Sequence, residues 1–423
     1  MRFRQLAKKP RLARARNQMR RPSALPVLFL LSLLGFQAAL AQQGPCFSPK
    51  LTIACLVPQV ANSAFGQAGF QAGGPGGVSF DVPTGDAVLV TPLASTQPVP
   101  SPASGFIYTF DPSAGVYARS SKSFGPILAE RADTIGRRRF FLGFAFQRFV
   151  FDKVDGVSPH SLQVAIPAPG GQVNENVNFD LQLNQTTAFM TYGVSNRVDV
   201  SLAIPFSTVY GSVVLNAAYL PTQAPGTSIP LFAQGKHTAS GIGDVNVQWK
   251  GVVIRKESAA VAVGTVLRLP TGDEYEALGA GTIGVKPFIV GSFSYKKLSP
   301  HLNVGYQLNG KSVLSGNILT GVKRHLPDQF QYAAGVDVGV SRRLTLDFDI
   351  LGAEVVHGDR LNQNLAQNPQ PFIRKSYNMT NGAAGFKVNL VGNLLLVANV
   401  LFRLNDAGLR VKVAPLVGLS YGF

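Results

Sequence analysis

From residue 139 to the C-terminus, apolar and polar residues alternate one by one through almost every segment of the chain. Val200 and Leu202, for example, alternate with Asp199 and Ser201. Successive side chains of a β-strand point to opposite faces, so a period of two predicts strands with one apolar and one polar face. About twelve strands follow this pattern, near residues 139–151, 176–192, 196–211, 243–256, 258–270, 282–297, 300–310, 329–341, 343–357, 376–391, 393–405 and 409–423.

The same alternation is compatible with a soluble sheet, whose apolar face points inward, and with a transmembrane barrel, whose apolar face points to lipid. Strand length favours the barrel, because many of these strands have thirteen residues or more and soluble strands average five or six. The polar face, rich in Gly, Asn, Gln and Asp, is also too hydrophilic for one wall of a dry core. We therefore predict an all-β fold, a transmembrane antiparallel β-barrel over residues 139–423. A secreted β-sandwich or a large soluble barrel is the alternative.

The connections between these strands alternate in length, as expected for periplasmic turns and extracellular loops. Turns such as 193–195 are short, whereas the connections in the other series are long, near 152–175, 212–242, 271–281, 311–328 and 358–375. An even strand number with both ends in the periplasm fits twelve strands, and a hairpin at 106–123 would raise the number to fourteen. This architecture places the chain in the bacterial outer membrane, surrounded by outer-membrane lipid.

The chain ends in an aromatic residue at the end of the last strand, in the sequence Tyr421-Gly422-Phe423. This ending resembles the C-terminal signature by which outer-membrane proteins are recognised for barrel assembly. The resemblance implies the barrel-assembly machinery as a partner, recognised through Phe423.

The N-terminus has the three parts of a secretory signal peptide. Nine Lys and Arg residues and no acid lie in residues 1–41, a long apolar run begins at residue 25, and an A-x-A site occupies residues 39–41. We expect residues 1–41 to be the signal peptide, with cleavage after Ala41. A single membrane anchor is the alternative, although Pro26 and the shortness of the run disfavour it.

Composition excludes two classes of protein. The chain has only one apolar run long enough to be considered as a membrane helix, so a multi-helix membrane protein is excluded. Its net charge of +17 is concentrated at the N-terminus: without residues 1–41, 30 basic residues face 22 acidic ones, which leaves +8. The longest basic run in that remainder is the three arginines at 137–139, so we expect no nucleic-acid partner.

Residues 42–138 are rich in Gly, Pro, Ala and Ser and contain stretches that hold no long regular element, such as 69–77. A barrel of intermediate width has room for part of this segment, so we consider it a possible plug of the lumen; a flexible periplasmic extension is the alternative. The only cysteines, Cys46 and Cys55, lie just after the predicted cleavage site. In an oxidising compartment we expect them to form a disulfide.

Short motifs give the barrel region a family resemblance. TYGVSNRVD at 191–199 is followed by AIPF at 203–206, then by GIGD at 241–244 and LPTGD at 269–273. In this order they resemble the outer-membrane proteins grouped around a transporter of the meta-pathway of phenol degradation. That family is similar in outline to outer-membrane channels for fatty acids and aromatic hydrocarbons. The resemblance implies passage of small, partly apolar molecules, but it names no solute.

Other motifs have simpler interpretations. The GIGD motif at 241–244 is not followed by the Lys-Ser/Thr of a phosphate-binding loop, so a turn into a strand explains it better. Asp273, Glu274 and Glu276 offer oxygen ligands for calcium, although a solvated loop is the default. Of the five histidines only His301 lies at a strand start, on the lumen face, and no Gly-x-Ser-x-Gly motif is near any of them. We expect neither catalysis, nor a cofactor, nor a resident metal.

The polar face of the strands carries the candidate functional residues. Charged groups survive inside a barrel only where water or partners surround them, so we expect them to line the lumen and to act as selectivity elements. Mutual pairing that simply fills the barrel is the alternative. By parity the predicted lumen-lining residues are Asp180, Asp199, Lys250, Arg268, Lys286, Asp337, Asp347, Asp349, Lys387, Arg403 and Lys412.

The sequence thus predicts an outer-membrane channel for the passive passage of small, partly apolar or aromatic compounds. A structural or adhesive barrel, whose extracellular loops at 212–242 and 358–375 bind a ligand, is the alternative. A membrane-bound hydrolase is a third and weaker possibility.

Overall fold

The computed structural model describes Cys46 and residues 51–67, 91–93, 108–111, 116–119, 123–168, 170–362 and 372–423. The predicted signal peptide, 1–41, lies outside these residues. The elements in chain order are α1 (Leu56–Gln67), β1 (Tyr108–Asp111), β2 (Val116–Arg119), β3 (Phe140–Val154), a 3-10 helix (Pro159–Ser161), β4 (Leu162–Ala168), β5 (Gly171–Gly193), β6 (Val198–Pro221), β7 (Ile229–Ile242), β8 (Val245–Arg255), β9 (Ala259–Leu269), β10 (Gly284–Phe293), β11 (Leu298–Asn309), β12 (Lys311–Asn317), β13 (Val322–His325), β14 (Gln329–Gly339), β15 (Leu344–Val355), β16 (Asp359–Leu361), β17 (Phe372–Arg374), β18 (Tyr377–Val391), β19 (Leu394–Arg403), β20 (Leu409–Val411) and β21 (Val413–Gly422).

Twelve of these strands form a closed antiparallel barrel, in the order β3, β5, β6, β8, β9, β10, β11, β14, β15, β18, β19 and β21. The barrel closes through β3, which pairs with both β5 and β21. Phe140 lies opposite Tyr192 on one side, and Phe141 lies opposite Gly422 on the other. Closure gives each of these twelve strands a partner on both sides, which is what a sheet in hydrocarbon requires. The predicted twelve-stranded barrel is confirmed.

Both ends of the barrel region meet at the end with short turns. The backbone N–H of Phe423 donates to the carbonyl of Phe140 at 2.7 Å. The strand pairs β5–β6, β8–β9, β10–β11, β14–β15 and β18–β19 are joined at this end by two to four residues. Short turns mark the periplasmic side of such barrels, so the long connections lie on the extracellular side.

The barrel wall continues far beyond the membrane on one side. β5 has 23 residues and β6 has 24, about twice the nine to eleven that cross hydrocarbon. β7 pairs with the extracellular half of β6, and β4 pairs with the extracellular half of β5. The prediction of a long loop at 212–242 was therefore wrong. Alternation persists in this segment, which forms the end of β6 and the whole of β7. The connections at 311–328 and 358–375 likewise contain the hairpin strands β12–β13 and β16–β17.

The hairpin predicted within 106–123 exists as β1 and β2, with Tyr108 opposite Arg119. It forms a separate two-stranded sheet and does not enlarge the barrel. In the described part of the chain, no helix is both long enough and apolar enough to cross a bilayer.

Candidate functional site: the barrel interior

An apolar belt surrounds the periplasmic half of the barrel. On β3 the outward side chains include Phe144, 60% exposed, and Phe146. On β6 the outward set includes Val200 and Phe206. Aromatic residues lie exposed near the periplasmic rim, namely Tyr192, Trp249, Tyr295, Tyr421 and Phe423. An apolar band edged by aromatic side chains is the surface that a lipid bilayer requires.

The protein is a bacterial outer-membrane β-barrel. Its lipid-facing surface and its closed sheet exclude the soluble sandwich and soluble barrel considered above, because their apolar faces would pack inward.

At the level of the belt the barrel interior is polar, and most of the predicted lumen residues lie there. Asp199 on β6 is 1% exposed and points inward, opposite Lys250 on β8. The side chains that point inward and are buried or half-buried are Asp199, Lys250, Arg268, Lys286, Asp337, Asp347, Asp349 and Lys387. Arg403 lies at the extracellular end, where it pairs with Asp152 and Asp406.

The prediction for Asp180 was wrong. Its neighbours Phe179 and Leu181 are buried on the inner face, whereas Asp180 faces outward and lies 3.2 Å from the imidazole of His160. Parity was read correctly, but the assumption that the polar face is always the inner one fails in the outer half of β5. This half lies beyond the lipid, so water contacts its outer surface.

Lys412 was also wrongly placed. Lys412 lies between β20 and β21, and a register shift near Val411 interrupts the pairing with β3 there. Arg410 and Val411 are buried, while Lys412 is exposed. The irregularity turns Lys412 outward, and the inward cation at this position is Arg410, which the alternation places on the same polar face of the sequence. Its guanidinium donates to the carbonyl of Thr380 at 2.6 Å.

The outer half of the interior is apolar. On β6 the inward residues change from Asp199 and Ser201 to Val209, Val213 and Leu215, all buried. The inward residues in the outer half of β5 include Val173, Phe179, Leu181 and Leu183, all buried, and Glu175 is the one buried charged side chain among them.

Helix α1 packs against this apolar wall. A Cβ atom added to Gly211 on β6 would lie 3.0 Å from Leu56, and one added to Gly235 on β7 would lie 2.7 Å from Val60. Glycine at these two positions therefore lets the helix approach the sheet closely. Cys46 and Cys55 are joined by a disulfide directly before α1.

Residues 123–138 cross the polar half of the interior, near the periplasmic end. Near β6 and β8, the backbone N–H of Ile135 donates to Asp199 at 3.0 Å. The ammonium of Lys250 donates to Glu130 at 3.1 Å and to the carbonyl of Arg131 at 2.8 Å. The charged wall residues are thus paired with the crossing segment rather than only with one another.

On the far side of the barrel the same segment contacts β15 and β18. The N–H of Ile127 donates to Asp347 at 3.2 Å, and Lys387 donates to the carbonyl of Pro126 at 2.7 Å. The N–H of Phe124 donates to the hydroxyl of Thr345 at 3.1 Å. Contacts at both walls hold the segment across the barrel at membrane depth.

A cavity of about 320 Å³ lies where the polar and apolar halves of the interior meet. Phe149, Phe151 and Leu183 contribute an apolar side, and Arg268 and Lys286 contribute a cationic side. Gln, Asn and Ser side chains of several strands complete the wall, together with Leu128, Ala129 and Glu130 of the crossing segment. A cavity with one apolar and one polar side suits a small amphipathic solute.

The cations of the cavity have few acidic neighbours among the described residues. Lys286 donates to the amide oxygen of Gln331 at 3.0 Å. Arg268 lies 3.6 Å from Asp244 and donates to Asn309 at 2.8 Å. Asp244 precedes β8 in the connection from β7, and burial raises its pKa to about 6, against the opposing effects of the Ala280 N–H and of Arg268.

The acidic residues proposed for calcium do not converge. Asp273 accepts from the N–H of Tyr275, and Glu274 accepts from Lys323 at 3.3 Å. Glu276 lies 3.0 Å from the imidazole of His237. Because the three carboxylates are directed to different partners, the geometry gives no support to a calcium site in this loop.

A different group of metal-ligand side chains meets inside the membrane-level barrel. His301 on β11 lies 2.7 Å from Asp349 and 3.9 Å from Asp337. Asp347 lies opposite Asp337 in the β14–β15 register. The sequence placed each of these side chains in the lumen but did not show that they meet, since their contact depends on the register of three strands.

Comparisons with known proteins find similarity only among solved structures, since no family model and no curated protein matches the chain. An outer membrane channel from Pseudomonas putida F1 is 13% identical, with a TM-score of 0.47, over 69% of this chain and 98% of that one. A toluene transporter from Ralstonia pickettii is 11% identical, with a TM-score of 0.36, over 70% and 92%. A FadL homologue from Pseudomonas aeruginosa is 11% identical, with a TM-score of 0.31, over 76% and 94%. Likeness at this level carries no functional argument.

Proposed function

We propose that this barrel is a passive outer-membrane channel for small, partly apolar or aromatic compounds. The cavity between the apolar and polar halves of the interior carries the proposal. A solute with an aromatic or aliphatic body would contact Phe149, Phe151 and Leu183, and its polar group would face Arg268 and Lys286. The sequence motifs at 191–206, 241–244 and 269–273 support the same solute class through their resemblance to the phenol meta-pathway transporter family.

We further propose that residues 42–138 act as a plug. The hydrogen bonds of residues 123–138 to Asp199, Lys250 and Asp347 support this role, as does the packing of α1 on the apolar wall. Lumen charges would then set selectivity in the space that the plug leaves open. Deletion of residues 56–138 is expected to raise the single-channel conductance, and unchanged conductance would eliminate the plug.

Two proposals concern biogenesis. Residues 1–41 are a signal peptide cleaved after Ala41, which N-terminal sequencing of the outer-membrane form tests. Phe423 is the recognition residue for the barrel-assembly machinery, so deletion of Phe423 is expected to lower the amount of heat-modifiable barrel in the outer membrane. Exposure of Phe423 at the periplasmic rim supports this role.

The channel proposal is tested with two neighbouring alanines of β14. Ala333 points inward and lines the cavity, whereas Ala334 is exposed and faces outward. Ala333→Trp fills the cavity and is expected to lower single-channel conductance in planar bilayers, and to weaken current block by an aromatic solute such as benzyl alcohol. Ala334→Trp adds the same side chain on the lipid face and is expected to leave both properties unchanged.

Equal effects of the two variants would contradict a route through the cavity. A wild-type barrel that folds but carries no current would favour the structural or adhesive alternative. Folding of each variant is checked by the mobility shift on electrophoresis with and without boiling.

A further inference from the structure

Four side chains from three adjacent strands converge in the interior below the cavity. They are His301 on β11, Asp337 on β14, and Asp347 and Asp349 on β15. His301 is 5% exposed and the three carboxylates at most 4%. One ligand atom each from His301, Asp347 and Asp349 lies within 4.8 Å of the others.

Part of the hydrogen-bonding capacity of this group is unused. Asp347 uses one oxygen to accept from the N–H of Ile127, and Asp349 uses one to contact His301. The second oxygen of each, and one oxygen of Asp337, are buried and accept from no N–H or hydroxyl group in the described part of the chain. Because a buried carboxylate oxygen without a partner is costly, each of these oxygens is expected to have a ligand.

The nearby ammonium does not occupy these oxygens. Lys387 donates to the carbonyls of Phe124 and Pro126, at 3.3 Å and 2.7 Å. Three carboxylates face two cations, Lys387 and the buried Arg131 of the crossing segment, so an excess of negative charge remains at a depth where the surroundings are poorly solvated. A divalent cation bound directly by the carboxylates would offset that excess.

The imidazole of His301 is oriented as a metal ligand. Its Nδ1 lies 3.4 Å from the carbonyl of Ser299, which can accept the Nδ1–H, and 3.9 Å from Asp337. Without a metal, the Nε2–H donates to Asp349 at 2.7 Å. A metal would take the place of that proton, and the remaining ring proton would stay on Nδ1. Metal-bound histidines usually donate their other ring N–H to a carbonyl or carboxylate in this way.

We propose that His301 Nε2 and carboxylate oxygens of Asp347 and Asp349 bind a divalent transition metal of the zinc class. One nitrogen and two oxygens suit Zn²⁺, whose bonds to such ligands are about 2.0–2.2 Å long. Ligand atoms around a tetrahedral metal lie farther apart than the 2.7 Å between His301 Nε2 and Asp349, so this pair must separate slightly as the metal enters. Asp337 lies 3.9 Å from the Nδ1 of His301, so it helps to orient the imidazole and adds negative charge beside the metal. Asp347 also accepts from Ile127, so the metal fixes the wall to which the crossing segment is attached. This site does not depend on what passes through the barrel.

Zinc binding is tested on the full-length chain, purified without a histidine tag and folded in detergent. After equilibrium dialysis against Zn²⁺, mass spectrometry of the metal is expected to find about one tightly bound ion per chain. Asp347→Asn combined with Asp349→Asn is expected to weaken binding at least about tenfold. Asp199→Asn is the matched control, since Asp199 is an equally buried lumen aspartate that also accepts from a backbone N–H of the segment, and it should retain the ion.

X-ray absorption of the zinc-loaded wild type provides a test that needs no variant. The expected spectrum has one imidazole and the remaining ligands oxygen, because the group contains a single histidine. Two or more imidazoles would place the zinc elsewhere and overturn the proposal. So would equal zinc contents of the wild type and the double variant, or a zinc-free wild type, in which case protons shared among the aspartates neutralise the group.

Discussion

The two halves of the barrel wall have opposite polarity although they are built from the same strands. Along β6, the periplasmic half has Val200 and Leu202 outside and Asp199 and Ser201 inside. The extracellular half has Thr208 and Ser212 outside, and Val209, Val213 and Leu215 inside. The alternation continues without a break, so the exchange of polarity occurs in the sequence and not in the backbone.

The solvent at each level explains this difference. Lipid surrounds the periplasmic half, so apolar side chains point outward and charges point to the lumen. Water surrounds the extracellular half, so the rule of soluble sheets returns and apolar side chains form a core with α1. One wall thus contains a membrane barrel and a water-exposed β-structure in series, and the cavity lies at their junction.

The largest expected effect follows from the apolar core of the extracellular half. Phe179 is 2% exposed on the inner face of β5, so Phe179→Ala is expected to lower the free energy of unfolding by about 3–5 kcal/mol. Asn178 is its exposed neighbour, and Asn178→Ala is expected to change stability by less than about 0.5 kcal/mol. Denaturant unfolding of the detergent-folded barrel measures both. If Asn178→Ala were the more damaging change, the assigned polarity of this half would be reversed.

A charge on the outer surface distinguishes the lipid-facing half from the water-facing half. Leu202 faces lipid near the middle of the belt, and Leu202→Arg is expected to destabilise the barrel by about 2–4 kcal/mol in a bilayer. Ser212 lies ten residues further along β6, on the same outer face but beyond the lipid. Ser212→Arg is expected to cost between 0 and about 1 kcal/mol. Unfolding in lipid vesicles provides the measurement, and similar costs would show that both positions contact the same solvent.

The disulfide is expected to stabilise only the extracellular half. Cys46→Ser with Cys55→Ser removes a cross-link between residues nine apart, which by chain entropy is worth roughly 2–3 kcal/mol. Hydrogen exchange is expected to become faster in α1, which follows Cys55, while β3 and β21 keep their protection. Uniformly faster exchange throughout the barrel would mean that the two halves unfold together.

The smallest expected effect is a pH dependence at the junction. Burial raises the pKa of Asp244 to about 6, so this carboxylate is ionised above pH 6 and neutral below it. As the pH falls through about 6, the loss of its negative charge beside Arg268 is expected to shift ion selectivity towards anions. Reversal potentials across a salt gradient measure the shift. Asp244→Asn should abolish it, whereas Asp180→Asn, which removes a charge from the water-facing outer wall, should preserve it.

The sequence predicted most of the fold because side-chain alternation is a local property. Strands such as β8 and β9 were predicted to within about two residues of their bounds, and eight of the predicted lumen charges lie on the inner face. The errors have physical causes. Asp180 follows the alternation but lies outside the lipid, and Lys412 lies at an irregularity that turns its side chain outward.

The candidate site was less predictable, because it depends on contacts between residues far apart in the chain. Glu130 contacts Lys250, which is 120 residues away in the chain. His301 contacts Asp349 only because of the register of β11 with β14 and that of β14 with β15. Composition marked residues 42–138 as irregular, but it did not reveal which of them contact the wall. The cavity depends on those contacts.

The sequence by itself determined that the chain forms long, two-faced antiparallel strands in an even number, because a period of two is encoded residue by residue. Only the tertiary structure decided which face is inner at each level. That choice depends on where the strand leaves the lipid and on what fills the barrel, and both follow from closure of the sheet around distant parts of the chain.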